Sequence, residues 1–147
     1  MNNKKTEENN NPSIPIIIYI DYINAEYHKY LNNEFKNLTP RDFTYLTCIY
    51  YNENISQRQL ANLLIVSEAN VGQIIKRLEK NELITRKPDT KNKSRRIINL
   101  TKKGETLVIS LIEASQKWES QFFENYEAED EQKFKQMISD YYQKSKN

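Results

Sequence analysis

The stretch "SEANVGQIIKRLEKN", Ser67 to Asn81, sets short polar side chains at the head of an apolar-periodic segment and cations behind them. Ser67 and Asn70 fall where exposed helical N–H groups attract anions, so they suit phosphates or base edges. Gln73, one turn on, carries the side-by-side donor and acceptor that match adenine. Lys76, Arg77 and Lys80 follow on the polar side, within reach of backbone phosphates. Ser56, Gln57 and Arg58, at the head of the preceding helical segment, are candidates for clamping the same backbone. Lys91, Lys93, Arg95 and Arg96 form a basic loop further on, and such cations gain from the deep negative potential of a narrow A·T minor groove. This is the chemistry of holding double-stranded DNA. It breaks no bonds.

Gly72 is the odd member of the set. The chain has 2 glycines in 147 residues, and one inside a helix costs about 1 kcal/mol relative to alanine. Two explanations stand open. A bare backbone can approach the groove or a phosphate closely, or the missing side chain relieves crowding against the preceding helix.

Other chemistries are excluded by what is missing. His28 is the only histidine, so neither a histidine metal cluster nor a Ser-His-Asp arrangement can be built. No Gly-rich phosphate loop exists, and Cys48 stands alone on an apolar segment, which reads as a structural thiol. No enzyme, metal or cofactor is therefore expected. A lone cysteine fits a reducing compartment. The apolar run Ile16–Ile20 stops at Asp21, far short of the ~20 residues a membrane span needs. A cytoplasmic protein with no membrane attachment is the expectation.

The positive field is concentrated. From Lys76 to Lys103 there are 11 basic and 3 acidic residues, a net of +8, in a chain whose total is only +2. The flanks are mildly acidic. A solvated surface can look like this, but a basic block directly behind Ser67–Ile75 raises the case for nucleic acid.

The elements that must position these residues are mostly helical. Residues 1–13 lack apolar residues after Met1 and read as a disordered tail. Apolar and aromatic residues recur at helical spacing over 16–35. Thr39, Pro40 and Asp42 open a second helix carrying Phe43, Leu46, Ile49 and Tyr50. Ser56 and Gln59 have capping-box spacing, with Leu60, Leu63 and Leu64 as the buried stripe. Ser67 caps the next helix, where Val71, Ile74, Ile75 and Leu78 follow the i, i+3, i+4, i+7 rule. Residues 84–87 and 96–100 read as a hairpin with the polar tip "PDTKNKSR". Thr101 caps a long helix with Leu107, Val108, Leu111, Ile112, Trp118 and Phe122 inward, and a last helix spans roughly 128–144.

With these motifs assembled, the sequence resembles the MarR family of winged helix-turn-helix transcriptional regulators, from Leu38 to about Val108. "LTPRDFTYL" is similar to the family's helix entry, "SQRQLANLLIVSEANVGQIIKRLEKNELITR" to its helix-turn-helix, and "PDTKNKSRRIINLTKKGE" to its wing and exit. The pairing of "RLEKNELI" with "LTKKG" is the most specific part. The fold expected is mainly α: a winged helix-turn-helix with a two-stranded β-wing and N- and C-terminal dimerisation helices. Residues 14–147 would form one domain, with a DNA-binding head over about 38–103 and dimerisation helices over 14–35 and 104–147.

The resemblance implies a homodimer on a pseudo-palindromic operator, with helix 67–81 in the major groove and the wing near the minor groove. It also implies a small phenolic or aromatic-acid ligand near the tyrosine-rich first two helices, although aromatics at helical spacing also serve as core. Two departures stand out. Glu82 replaces the family's usual glycine, so Asn81 is expected to take the left-handed turn. Asn92-Lys93-Ser94 replaces a stiffening Asp-x-Arg, which predicts a floppier wing. A protein-interaction module that has lost DNA, or a non-specific DNA-binding protein, are the competing readings.

Overall fold

The computed structural model describes residues 14–146; the expected disordered tail, 1–13, lies outside the described residues. The chain divides into two compact units, Met1–Pro40 and Arg41–Asn147. In the first, α1 (Ile16–Glu34) ends where the Phe35 N–H donates to Leu31 O at 2.8 Å. Its early residues Ile16, Ile17, Tyr19, Tyr22 and Ile23 are exposed, and Leu31 is buried.

The second unit runs α2 (Pro40–Tyr51, beginning at the boundary), β1 (Ile55–Ser56), α3 (Gln57–Leu64), α4 (Glu68–Lys80), β2 (Ile84–Pro88), β3 (Arg96–Leu100), α5 (Lys102–Phe123) and α6 (Ala128–Ser145). The strands form an antiparallel sheet of order β1-β3-β2. The hairpin was legible, but β1 adds a third strand: Ile55 pairs with Ile98 and Ser56 with Ile97. Two residues carry no periodicity, so only the pairing reveals them.

The core matches the α4 pattern in full. Val71, Ile74, Ile75 and Leu78 are all buried, with Leu46, Ile49, Leu60, Leu83, Ile84, Ile98, Val108 and Leu111 around them. On α3 the buried pair is Leu60 and Ala61, while Leu63 is exposed. Only eight residues long, α3 shows the core a narrower face than a three-leucine stripe would fill. No residue of α6 is buried; Phe134, Met137, Ile138, Tyr141 and Tyr142 all face solvent in the single chain.

Among the described residues, three other than glycine take positive φ: Asn54 at 58°, Ile65 at 55° and Glu82 at 61°. Asn81 has φ −82°, so the left-handed turn after α4 falls on Glu82 itself, not on Asn81 as expected. The structure tolerates this because the turn is pinned on both sides. The Glu82 N–H donates to Glu79 O at 2.9 Å, and Glu82 O accepts from Thr101 Oγ1 at 2.6 Å.

Ile65 is the more strained of the two, since a β-branched residue in this region is a true outlier. It ends α3 and is 92% exposed, so its side chain gains almost nothing from packing. Replacing either residue with glycine should therefore stabilise the fold by about 1 kcal/mol, most of the ~1–2 kcal/mol left-handed penalty less the added entropy of the unfolded chain. Thermal melts of Ile65→Gly and Glu82→Gly check this; a lower melting temperature in either would show that the side chain holds something.

Candidate nucleic-acid interface

The interface is built around α4, which is tied down from several directions. Ser67 caps it in extended conformation, its hydroxyl accepting from the Asn70 N–H at 3.2 Å. Gln57 Nε2 reaches across from α3 and donates to Glu68 O at 3.1 Å. Arg77 pairs with the buried Asp42 of α2. Arg86 of β2 grips Glu79 through Nε at 3.0 Å and Nη2 at 2.6 Å. At the far end, Lys103 Nζ donates to Asn81 O at 2.9 Å. Against these ties, Asn70, Gln73 and Lys76 are exposed, and their side chains have no partner among the described residues.

Gly72 is explained in part by α3. A Cβ there would lie 3.2 Å from Gln57 Nε2, so the bare backbone leaves room for the Gln57 tie. That contact is with the end of a flexible side chain, and it favours the crowding explanation.

Several expected DNA-facing residues are engaged within the protein. Ser56 is buried, its hydroxyl accepting from the Gln59 N–H at 3.2 Å while Gln59 Oε1 accepts from the Ser56 N–H at 3.0 Å. A capping box therefore engages Ser56 at the head of α3. Gln57 is committed to Glu68, and Arg77 to Asp42. Arg58 remains exposed with no partner among the described residues.

The wing tip is closed by a set of hydrogen bonds. Asp89 N–H donates to Arg95 O at 2.8 Å, and Arg95 N–H to Asn92 O at 2.9 Å. Asn92 Oδ1 accepts from the Ser94 N–H at 3.1 Å and from its hydroxyl at 2.6 Å. The stiffening ion pair is present in other positions: Asp89 Oδ2 lies 3.8 Å from Arg95 Nε. Arg95 also donates to Gln59 of α3. Sequence reading missed this arrangement because it looked for the pair at 92–94. Lys91, Lys93 and Arg96 are exposed, their side chains unpaired among the described residues.

Away from the interface, burial pushes the Cys48 thiol above its ordinary value of 9.0 and the Tyr45 hydroxyl above 10.0, with Arg41 partly opposing the latter. Both groups favour their neutral form when folded. The stability this confers is complete below about pH 9 and is lost as pH rises from there through the raised folded values. Urea unfolding at pH 8 and pH 10.5 should show the loss; equal midpoints would refute it. Among the described residues no cluster of three metal-ligating side chains exists, and no helix is long and apolar enough to cross a membrane.

A capped helix held in a three-helix and sheet framework beside a basic hairpin defines the winged helix-turn-helix class of DNA-binding proteins. The MarR family profile matches residues 38–97. An HTH-type transcriptional regulator of Bacillus cereus is 33% identical over 106 residues, covering 70% of each chain. The crystal structure of MarR superposes with a TM-score of 0.82 over 92% of this chain and 93% of that one, at 23% identity. The Staphylococcus aureus MepR–DNA complex gives 0.72, covering 90% and 99%, at 18% identity. The chain belongs to the MarR family and is a DNA-binding transcriptional regulator.

Proposed function

We propose that the protein acts as a homodimer that reads a specific pseudo-palindromic DNA sequence, with its activity set by a small phenolic or aromatic-acid ligand. One observation carries the reading: Asn70 and Gln73 stand exposed, their side chains without a partner among the described residues, on a helix whose other sides are fixed to α2, α3, β2 and α5. A base reader needs this combination, because a wobbling helix cannot present hydrogen-bond groups in register. Arg58, Lys76, Lys91, Lys93 and Arg96 supply the surrounding charge.

The homodimer part is supported by the apolar surface each unit leaves open. No residue of the 18-residue α6 is buried, although most helical stability in proteins comes from packing an apolar face. A second copy covering Phe134, Met137, Ile138 and Tyr141 would remove it from solvent. α1 carries a similar stretch from Ile16 to Ile23. A monomeric mass at micromolar concentration would end this part of the proposal.

The ligand part rests on the aromatic side chains of the first two helices. Tyr45 is committed to the core, leaving Tyr50 and Tyr51 in edge-to-face contact at 5.2 Å on the end of α2. A thermal-shift screen with aromatic acids tests it, and no shift with any compound would count against it.

DNA binding itself is measured by fluorescence anisotropy, using the DNA upstream of the gene against a scrambled duplex across salt concentrations. Gln73→Ala should lower affinity for the native fragment about tenfold, within the ~1–3 kcal/mol of one base pairing, and leave scrambled DNA unaffected. Arg58→Ala should weaken both equally and flatten the salt slope by about 1 for the phosphate it neutralises. Equal binding of the parent chain to both duplexes would indicate non-specific binding. Binding to neither would favour a protein-interaction role.

A further inference from the structure

We infer that Arg95 is a positioning residue that locks the wing to α3, and that Gln59 is its anchor. This rests on the DNA-binding reading above and gives one wing cation a task other than touching DNA. Four observations converge on this residue and its anchor. Arg95 Nε is buried, with Asp89 Oδ2 3.8 Å away. Arg95 Nη2 donates to Gln59 Oε1. That same oxygen accepts from the Ser56 N–H and the Ser56 hydroxyl, each at 3.0 Å. The backbone of Arg95 closes the wing tip in both directions, to Asp89 and to Asn92.

One amide oxygen therefore serves two ends. It completes the cap of α3 and grips a residue 36 positions away in the wing. A two-stranded hairpin tip has no core to fix its angle, so side-chain ties decide where its cations point. Arg95 sets that angle while Lys91, Lys93 and Arg96, exposed and unpaired among the described residues, supply the charge. The planar guanidinium suits this task because it can face a carboxylate and an amide oxygen at once.

The test is hydrogen exchange on the full chain, paired with anisotropy on the upstream duplex. In Arg95→Ala the amides of 89–95 should exchange about tenfold faster. Gln59→Ala should do the same, and the double variant should add little more. Gln59→Glu keeps both the cap and an acceptor for Arg95, so it should restore protection. Lys93→Ala should leave exchange unchanged.

On DNA, Lys93→Ala should reduce the salt slope by about 0.9 for each phosphate it no longer neutralises. Arg95→Ala should weaken binding severalfold with the slope intact. Normal wing protection in Arg95→Ala, together with a reduced slope, would overturn the inference and make Arg95 a direct phosphate ligand. Unchanged exchange and unchanged affinity would overturn it too. If the parent chain binds no DNA while the exchange pattern holds, the lock stands and the regulator reading is what fails.

Discussion

Gly104→Ala should destabilise the protein by about 3 kcal/mol, the upper end of the usual overpacking range. A Cβ at this position would stand 2.0 Å from Leu83 O and 3.0 Å from Leu83 C, with Leu100 Cδ2 at 3.3 Å. The obstacle is backbone, and it has nowhere to go. Leu83 O accepts from the Thr101 N–H at 3.0 Å, the Leu83 N–H donates to Leu78 O at 3.0 Å, and the next residue, Ile84, pairs with Leu100 in the sheet. Gly104 itself is fixed by donating to Thr101 Oγ1 at 3.0 Å.

The first turn of α5 must therefore either move off the end of α4 or force the β2–β3 ladder apart. For a chain of this size the melting temperature should fall by roughly 9 °C. Gly72→Ala is the control. Its Cβ meets only the tip of Gln57, and alanine recovers about 1 kcal/mol of helix propensity, so stability should change little. If Gly72→Ala leaves stability alone yet abolishes DNA binding, the close-approach explanation for that glycine returns. A Gly104→Ala variant as stable as the parent would mean that the α4–α5 junction is far softer than its hydrogen bonds imply.

The contrast between the two glycines shows what sequence reasoning could reach. Gly72 drew attention because it breaks a local rule inside a helix. Gly104 breaks none: a glycine three residues after a capping threonine looks ordinary, and only the fold brings Leu83 against it. Helix caps and the α4 stripe were legible. The Ser56, Ser67 and Thr101 caps and the Val71–Leu78 stripe all follow from side-chain preferences within a few residues.

What escaped was long-range or contrary to propensity. β1 is two residues whose partner strand lies some forty residues on. Ile65 adopts a turn that its side chain disfavours. The wing lock joins Gln59 to Arg95, and the pair Asp89–Arg95 sits outside the positions where a stiffening pair was sought. Of the candidate interface residues, the exposure of some was legible. Asn70, Gln73, Arg58 and the wing lysines are exposed as the chemistry required, but Ser56, Gln57, Arg77 and Arg95 carry polar types that serve the framework as readily as a phosphate.

Arg77 illustrates that ambiguity and gives the second large effect. Asp42 is buried to 3% exposure near the start of α2, and Arg77 in the last turn of α4 pairs with it while remaining 46% exposed along its side chain. Removing one partner of a fully buried pair costs about 3–5 kcal/mol because a charge stays desolvated. Solvent reaches half of Arg77, so about 2 kcal/mol is expected for Arg77→Ala.

Arg77→Lys keeps the charge but not the forked donors, and should fall between. A double-mutant cycle with Asp42→Asn isolates the pair; a coupling below about 0.5 kcal/mol would show that the two residues act independently. The DNA readout then separates framework from direct binding. If Arg77 serves only to hold α4 against α2, Asp42→Asn should weaken DNA binding as Arg77→Ala does, and neither should alter the salt slope. A reduced slope confined to Arg77→Ala would mean that the guanidinium leaves Asp42 for a phosphate when DNA arrives, making the pair a latch that the operator opens.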